Sequence, residues 1–241
     1  LEFRRVLFRS LRQAHICVIG IGGVGSWVVE ALARSGICEL TLIDMDDICV
    51  TNINRQLPAM SGTIGKLKTE VMSERVKLIN PECTVNIIDD FISPENQSDY
   101  LNRGYDYVID AIDNVKTKAS LIAYCKRNKI NVITIGGAGG QTDPTQIQIA
   151  DLSKTIQDPL LAKVRSVLRK DYNFSQNPKR KFSIDAVFST QPLIFPQMTE
   201  GCSTSATMNC ANGFGAATMI TATFGFFAVS RVIDKLLKKK S

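Results

Sequence analysis

Residues 15–25 read HICVIGIGGVG and residues 39–46 read ELTLIDMD, and the fold is decided between them. His15 to Ile19 is mostly apolar without strict alternation, as expected of a strand buried on both faces. It runs straight into Gly20-Ile21-Gly22-Gly23-Val24-Gly25. From Val24 onward, Trp27, Val28, Ala31 and Leu32 recur at helical spacing, so a helix follows. Strand, glycine turn, helix is the context in which a G-x-G-x-x-G pattern binds phosphate. Without side chains the backbone can approach an anion closely, and the N–H groups at the helix start face it. Glu39 to Ile43 reads as a second strand ending at Asp44, with Asp46 two residues on. An acid about 20 residues past the turn suits a ribose hydroxyl. The alternative, a tight βαβ turn with no ligand, fits the agreement of context and spacing less well.

A dinucleotide dehydrogenase would need little more, and this chain has more. Thr51-Asn52-Ile53-Asn54-Arg55-Gln56 follows the acidic strand end. Lys66 and Lys68 follow Gly65 at the start of a helical run carrying Val71, Met72, Arg75, Val76 and Ile79, which stops at Asn80-Pro81. Arg55 can fork onto a phosphate and Lys68 can act as a point charge. Lys66 reads as a solvated surface cation. Cations beside a glycine turn point to a phosphate chain that is cleaved.

This pattern resembles the adenylating fold of the ubiquitin-activating-enzyme superfamily: a glycine turn, D-x-D, N-x-x-R-Q, then a lysine a dozen or so residues later. The resemblance implies a turn shaped by Gly20, Gly22, Gly23 and Gly25, with Gly23 against ATP and Asp44 on the ribose. It places Asn52, Arg55, Gln56 and Lys68 at the phosphates. Farther on, Tyr105 to Asp110 reads as a strand, followed by Asp110-Ala111-Ile112-Asp113-Asn114. The D-N pair implies Asp113 as the Mg2+ ligand and Asn114 beside the nucleotide; magnesium binds through one or two acids plus phosphate oxygens. Arg55, Lys68 and Asp113 are thereby the expected catalytic residues.

One branch of the superfamily fits better than the rest. The block Gly136 to Asp151, GGAGGQTDPTQIQIAD, is distinctive; Leu152-Ser153-Lys154-Thr155, Asp158-Pro159-Leu160 and Val187-Phe188-Ser189-Thr190 extend it. It resembles the branch that acts on threonylcarbamoyl-modified tRNA, over about Leu11 to Lys238. The resemblance implies that ATP activates the threonyl carboxylate of a modified adenosine in the anticodon loop. The carbamoyl oxygen then closes a ring and AMP is released. That branch begins with an Arg-Phe-Gly-Gly-like arm, which Leu1 to Ser10, LEFRRVLFRS, does not match. Residues 1–10 are therefore read as a non-native or scar segment. Arg9 and Arg12 are no more than candidate substitutes for an arginine that the arm would lend to a partner subunit. Residues 11–241 form a single adenylating domain, with 190–207 expected to be a mobile loop.

Composition agrees with a compact enzyme. A chain of 241 residues can bury one full α/β core. The net charge of +6 supports nucleic acid only weakly, since anionic membranes would attract it too. The local distribution is more telling. Lys163, Arg165, Arg169, Lys170, Lys179, Arg180 and Lys181 cluster in one segment with Tyr172 and Phe174 interleaved. Such a patch can neutralise phosphates and stack bases, or can be a solvated helix and loop. The seven cysteines, at 17, 38, 49, 83, 125, 202 and 210, form no C-x-x-C, and the single histidine is His15. No structural zinc is expected, and scattered thiols suit a reducing cytoplasm. Cys210 is the best candidate nucleophile, with a buried inert thiol the preferred reading.

Strands and helices alternate. A helix is expected over Val115 to Asn128 and strands over Asn131 to Ile135, Thr145 to Ala150 and Phe182 to Phe188. The last two alternate like a hairpin. The fold class is therefore α/β, a Rossmann-like three-layer fold with a mainly parallel, mixed central sheet. Gly201 to Ser230 is uncharged. Gly213 to Val229 scores as a marginal membrane span. The preferred reading is a buried helix packing at the core or a subunit interface, with membrane association the alternative. The expected partners are tRNA and a second copy of the chain in a homodimer. Two alternatives stay open: adenylation of a sulfur carrier's C-terminal glycine, and a non-catalytic ATP-binding scaffold with a sulfur-transfer protein partner. A hydride-transferring dehydrogenase ranks third.

Overall fold

The computed structural model describes residues 11–194 and 215–238. Seven strands form one sheet: β1 (His15–Ile19), β2 (Glu39–Ile43), β3 (Thr84–Ile88), β4 (Tyr107–Asp110), β5 (Val132–Ile135), β6 (Ile147–Asp151) and β7 (Asp185–Ser189). Their order is β3-β2-β1-β4-β5-β7-β6. All pairings are parallel except that of β6 with β7, which makes the sheet mixed. The helices are α1 (Gly25–Arg34), α2 (Lys68–Ile79), α3 (Gln97–Leu101), α4 (Val115–Arg127), α5 (Pro159–Asp171) and α6 (Thr218–Lys238).

The apolar run of β1 is divided between two layers, as the two-residue period of a strand requires. Ile16 and Val18 face α1, α2 and α6, while Cys17 and Ile19 face α4 and α5. The strand order reverses between β1 and β4. Loops at the carboxyl ends of these two strands therefore diverge and leave a crevice, the usual ligand site of open α/β sheets.

Three features bear on the reading from sequence. Strand β3 had no residue bounds from the sequence; its TVNII lacks clean alternation and lies at the sheet edge with Ile87 exposed. Of the uncharged C-terminal tract, the described part forms α6 from Thr218 and runs on past Val229 to Lys238, in line with the preferred reading of a buried helix. Its buried face, Ile220, Phe224, Ala228 and Val232, lies in the cluster that holds Val28 and Leu32 of α1. A side chain at Gly225 would come within 3.1 Å of Trp27 Cβ and of the Val28 nitrogen, so the two helices are in close contact. Among the described residues no helix is long and apolar enough to cross a membrane. Finally, of the tract 190–207, residues 190–194 are described and hydrogen-bonded to the 140–146 segment. Gln191 Oε1 accepts from the Thr142 and Asp143 amides at 2.9 Å each, and the Ile194 amide donates to Gly140 O. The remainder of that loop, residues 1–10, Cys202 and Cys210 lie outside the described residues.

Candidate active site

The glycine turn is built by close approach. Gly20 has φ +86°, and a Cβ at Gly25 would sit 1.7 Å from Gly20 O, so neither position takes a side chain without opening the turn. Helix α1 starts at Gly25 with no side-chain cap and no acid in its first turn. Its N-terminal amides and dipole are thus left to an anion. Asp44 braces the turn: Oδ2 accepts from the Ile21 amide at 2.6 Å and Oδ1 from the Asp46 amide at 2.8 Å. Burial pushes the Asp44 carboxyl above its usual range, opposed by these two bonds and by the Lys68 charge.

The expected phosphate residues surround this turn. Arg55 lies against Gly23, its Cγ 3.3 Å from where a Cβ would stand. Its Nη1 donates to Thr51 O and Asn54 Oδ1, and Trp27 Nε1 of α1 donates to Arg55 O at 3.0 Å. Gln56 is buried beside Gly22, and its Oε1 has no hydrogen-bond partner among the described residues. Lys68, only 5% exposed, donates from Nζ to Asp46 Oδ2 at 2.7 Å. Asn52 is occupied locally: its Oδ1 accepts from the Cys49 amide and closes a short 3-10 turn. On the other side of the crevice Ala111 O approaches Gly20, and the exposed Asp113 follows at the end of β4. Asn114 caps α4, its side-chain Oδ1 accepting from the Lys116 and Thr117 amides at 3.1 Å each.

The basic segment divides into exposed and engaged cations. Because β7 ends at the crevice, the loop before it, with Lys179, Arg180 and Lys181, lies at the opposite end of the sheet, roughly 16 Å away for a five-residue strand. Its placement is fixed by Asp151, which accepts from the Phe182 and Ser183 amides. Lys163, Lys170, Lys179, Arg180 and Lys181 are exposed. Arg165 and Arg169 are not free surface cations. Arg165 bonds the Thr155 hydroxyl, and Arg169 lies 5.4 Å over the Phe182 ring and donates to Ser175 O. Tyr172 and Phe174 pack against the core, Phe174 edge-on to Phe182 at 4.9 Å, so they are not a platform for bases.

No group of three or more His, Cys, Asp or Glu that could hold a metal occurs among the described residues. Burial pushes the Cys125 thiol up to about 12 and Cys83 to about 11, which makes both inert. Arg12, before β1, pairs with Glu82. Reasoning from sequence missed a fully buried ion pair. Lys118 of α4 and Asp110 are both 0% exposed and 2.9 Å apart beneath the Asp113 loop.

An uncapped helix start, a glycine turn, Arg55, Lys68 and an acidic loop at a topological switch point define an α/β nucleotide-binding protein with a site shaped for a polyphosphate. The chain belongs to the ThiF family, whose model matches residues 2–241. The tRNA threonylcarbamoyladenosine dehydratase of Escherichia coli K12 is 59% identical over 235 residues, 94% of this chain and 87% of that protein. The enzyme of that name from Bacillus subtilis 168 is 44% identical over 162 residues, 67% of this chain and 64% of that one. The crystal structure of the E. coli tRNA N6-threonylcarbamoyladenosine dehydratase in complex with ATP matches with a TM-score of 0.89 at 56% identity, covering 97% of this chain and 90% of that one. Its complex with AMP matches equally well.

Proposed function

We propose that this chain is an ATP-using tRNA threonylcarbamoyladenosine dehydratase. The observation that carries this is the 59% identity over 94% of the chain to an enzyme of that name, with structures of such an enzyme holding ATP and AMP. In the reaction read here, a carboxylate oxygen of the threonyl group attacks the α-phosphorus of ATP and pyrophosphate leaves. The carbamoyl oxygen then attacks the acyl carbon and expels AMP. The net change in the nucleoside is the loss of one water.

The chain's contribution is placement and charge. The α1 amides and the glycine turn seat the phosphates, and Gln56 Oε1, without a partner among the described residues, offers an acceptor beside Gly22. Arg55 and Lys68 offset charge as it builds on the α-phosphate and the leaving pyrophosphate, and such fixed charges need no reorganisation during the step. Lys68 can do so only by sharing its ammonium between Asp46 and the phosphate. The residues fit a magnesium ion as well, because Asp113 is a hard oxygen donor at the crevice and phosphate oxygens supply the rest of a shell. Bound there, the ion would offset phosphate charge.

The exposed cations Lys163, Lys170, Lys179, Arg180 and Lys181 suit the stem of a tRNA whose anticodon loop reaches the crevice. Arg165 and Arg169 have structural work instead. A homodimer working in a reducing cytoplasm completes the reading. The five described cysteines are free thiols, as such a compartment allows. Mass spectrometry of nucleosides from tRNA incubated with protein and ATP tests the reading. The expected product is the modified adenosine lighter by one water, with AMP formed in step. AMP formed with a sulfur carrier but never with tRNA would overturn it.

A further inference from the structure

Lys118 presents a problem of cost. A buried ion pair is expensive to desolvate, and an apolar pair of similar volume would usually serve stability as well or better. Here the ammonium does more than meet a carboxylate. Its Nζ lies 2.9 Å from Asp110 Oδ2, 2.8 Å from Ile112 O and 3.3 Å from Asp110 O. The carboxylate in turn accepts from the Thr134 hydroxyl of β5 at 2.7 Å and from the Ile112 amide at 3.1 Å. One cation and one anion thus tie both backbone groups of Ile112 to α4 and β5. The same stretch touches the glycine turn through Ala111, whose amide donates to Ile19 O at 2.9 Å. Asp113 is the next residue. Lys118 also faces Asp158, which holds the Gly137 amide at 3.0 Å. The strand-end loops of β4 and β5 therefore converge on a single buried charge.

We propose that Lys118, acting through Asp110, is a positioning residue that fixes residues 110–114 so that the Asp113 carboxylate stands at a set place in the nucleotide crevice. This rests on the reading of Asp113 as the residue that holds a divalent metal with the phosphates. An apolar pair would fill the same volume but would leave Ile112 O and the Ile112 amide without partners, and the loop would loosen.

The test uses the full chain. Lys118→Met alone strands a buried carboxylate, so the informative variant is Asp110→Asn with Lys118→Met, which removes both charges. The loop amides of residues 111–114 are expected to exchange with solvent at least about 10-fold faster, while core amides of β1 keep their protection. Manganese, measured by electron paramagnetic resonance with a non-hydrolysable ATP analogue, should bind about 10- to 100-fold more weakly, the range seen when groups behind a metal ligand are removed. Affinity for the analogue without metal should stay within about threefold. Loop amides that exchange as in the parent would overturn the proposal. So would a parent whose loop amides exchange as fast as free loops, a measurement that needs no variant. Failure of the metal reading shows separately: Asp113→Asn would then leave manganese binding in the parent unchanged, and loop exchange would still decide on Lys118.

Discussion

Glu30 is the residue whose removal gives the most quantitative test of how the nucleotide half of the fold is held. It lies on α1, three residues past Trp27, and its side chain is 8% exposed. Arg75 of α2 grips it with two bonds, Nε to Oε2 at 2.7 Å and Nη2 to Oε1 at 3.0 Å; Arg34 adds Nε to Oε1 at 2.8 Å. These contacts lock the helix that follows the glycine turn to the helix that begins with Lys68. Glu30→Gln keeps the shape, loses the charge and turns an amide NH2 toward a guanidinium. A hydrogen bond to a charged group contributes about 1.5–3 kcal/mol when buried. The Arg34 side chain is 60% exposed and adds little. The expected loss is therefore about 2 kcal/mol, mostly from Arg75, or about 4–8 °C in Tm for a chain of this size. The pH dependence carries the sign. Burial raises the Glu30 carboxyl, but the bonds from Arg75 and Arg34 outweigh it and the net shift is downward from 4.5. Its contribution is thus fully present above pH 4.5 and is lost as pH falls through the lower folded-state value. Urea unfolding of parent and variant at pH 7 and at the lowest pH that keeps the parent folded should show a full gap at the first and a narrower one at the second. An equal gap at both, or none at pH 7, would refute the account of Glu30 as a charged clamp.

Other expectations concern the site and its surroundings. Arg55→Ala and Lys68→Ala should each slow single-turnover AMP formation by about 100-fold or more, and parent-like rates in both would misplace the phosphate site. Lys179, Arg180 and Lys181 changed together to alanine should lower the slope of log affinity for tRNA against log salt by about two to three, with ATP affinity spared. An unchanged slope would reduce that loop to a solvated face. Gly225→Ala should lower stability by about 1–3 kcal/mol, read as a drop in Tm, because its methyl group meets Trp27 and the Val28 nitrogen at 3.1 Å.

Much of the nucleotide half was legible in the sequence because its signals are local. A glycine turn, a strand-end acid and an uncapped helix start each lie within a few residues, and β1, α1, β2 and α2 fall within two residues of where periodicity puts them. What was missed depends on neighbours that are distant in sequence. Lys118 reads as one more lysine in a polar helix; only its alignment with Asp110 and Thr134 across two strands makes it a buried cation. Arg169 reads as surface charge until Phe182 is folded beneath it. The seven cations look alike because they are close in sequence, but folding leaves five of them exposed and engages Arg165 with Thr155 and Arg169 with Phe182 and Ser175.

The contact of α6 with α1 bears on the order in which the molecule can assemble. Gly225 and Phe226 meet Trp27, residues from opposite ends of the described chain. During synthesis, strands β1 to β5 and their helices leave the ribosome with the outer side of α1 still uncovered. Such long-range closure slows folding and leaves apolar surface open to chaperones or to other nascent chains. The glycine turn is made well before the helix that backs it, which comes nearly 200 residues later. Ribosome-bound chains stalled before Thr218 are therefore expected to capture ATP poorly, with competence arriving abruptly once α6 emerges.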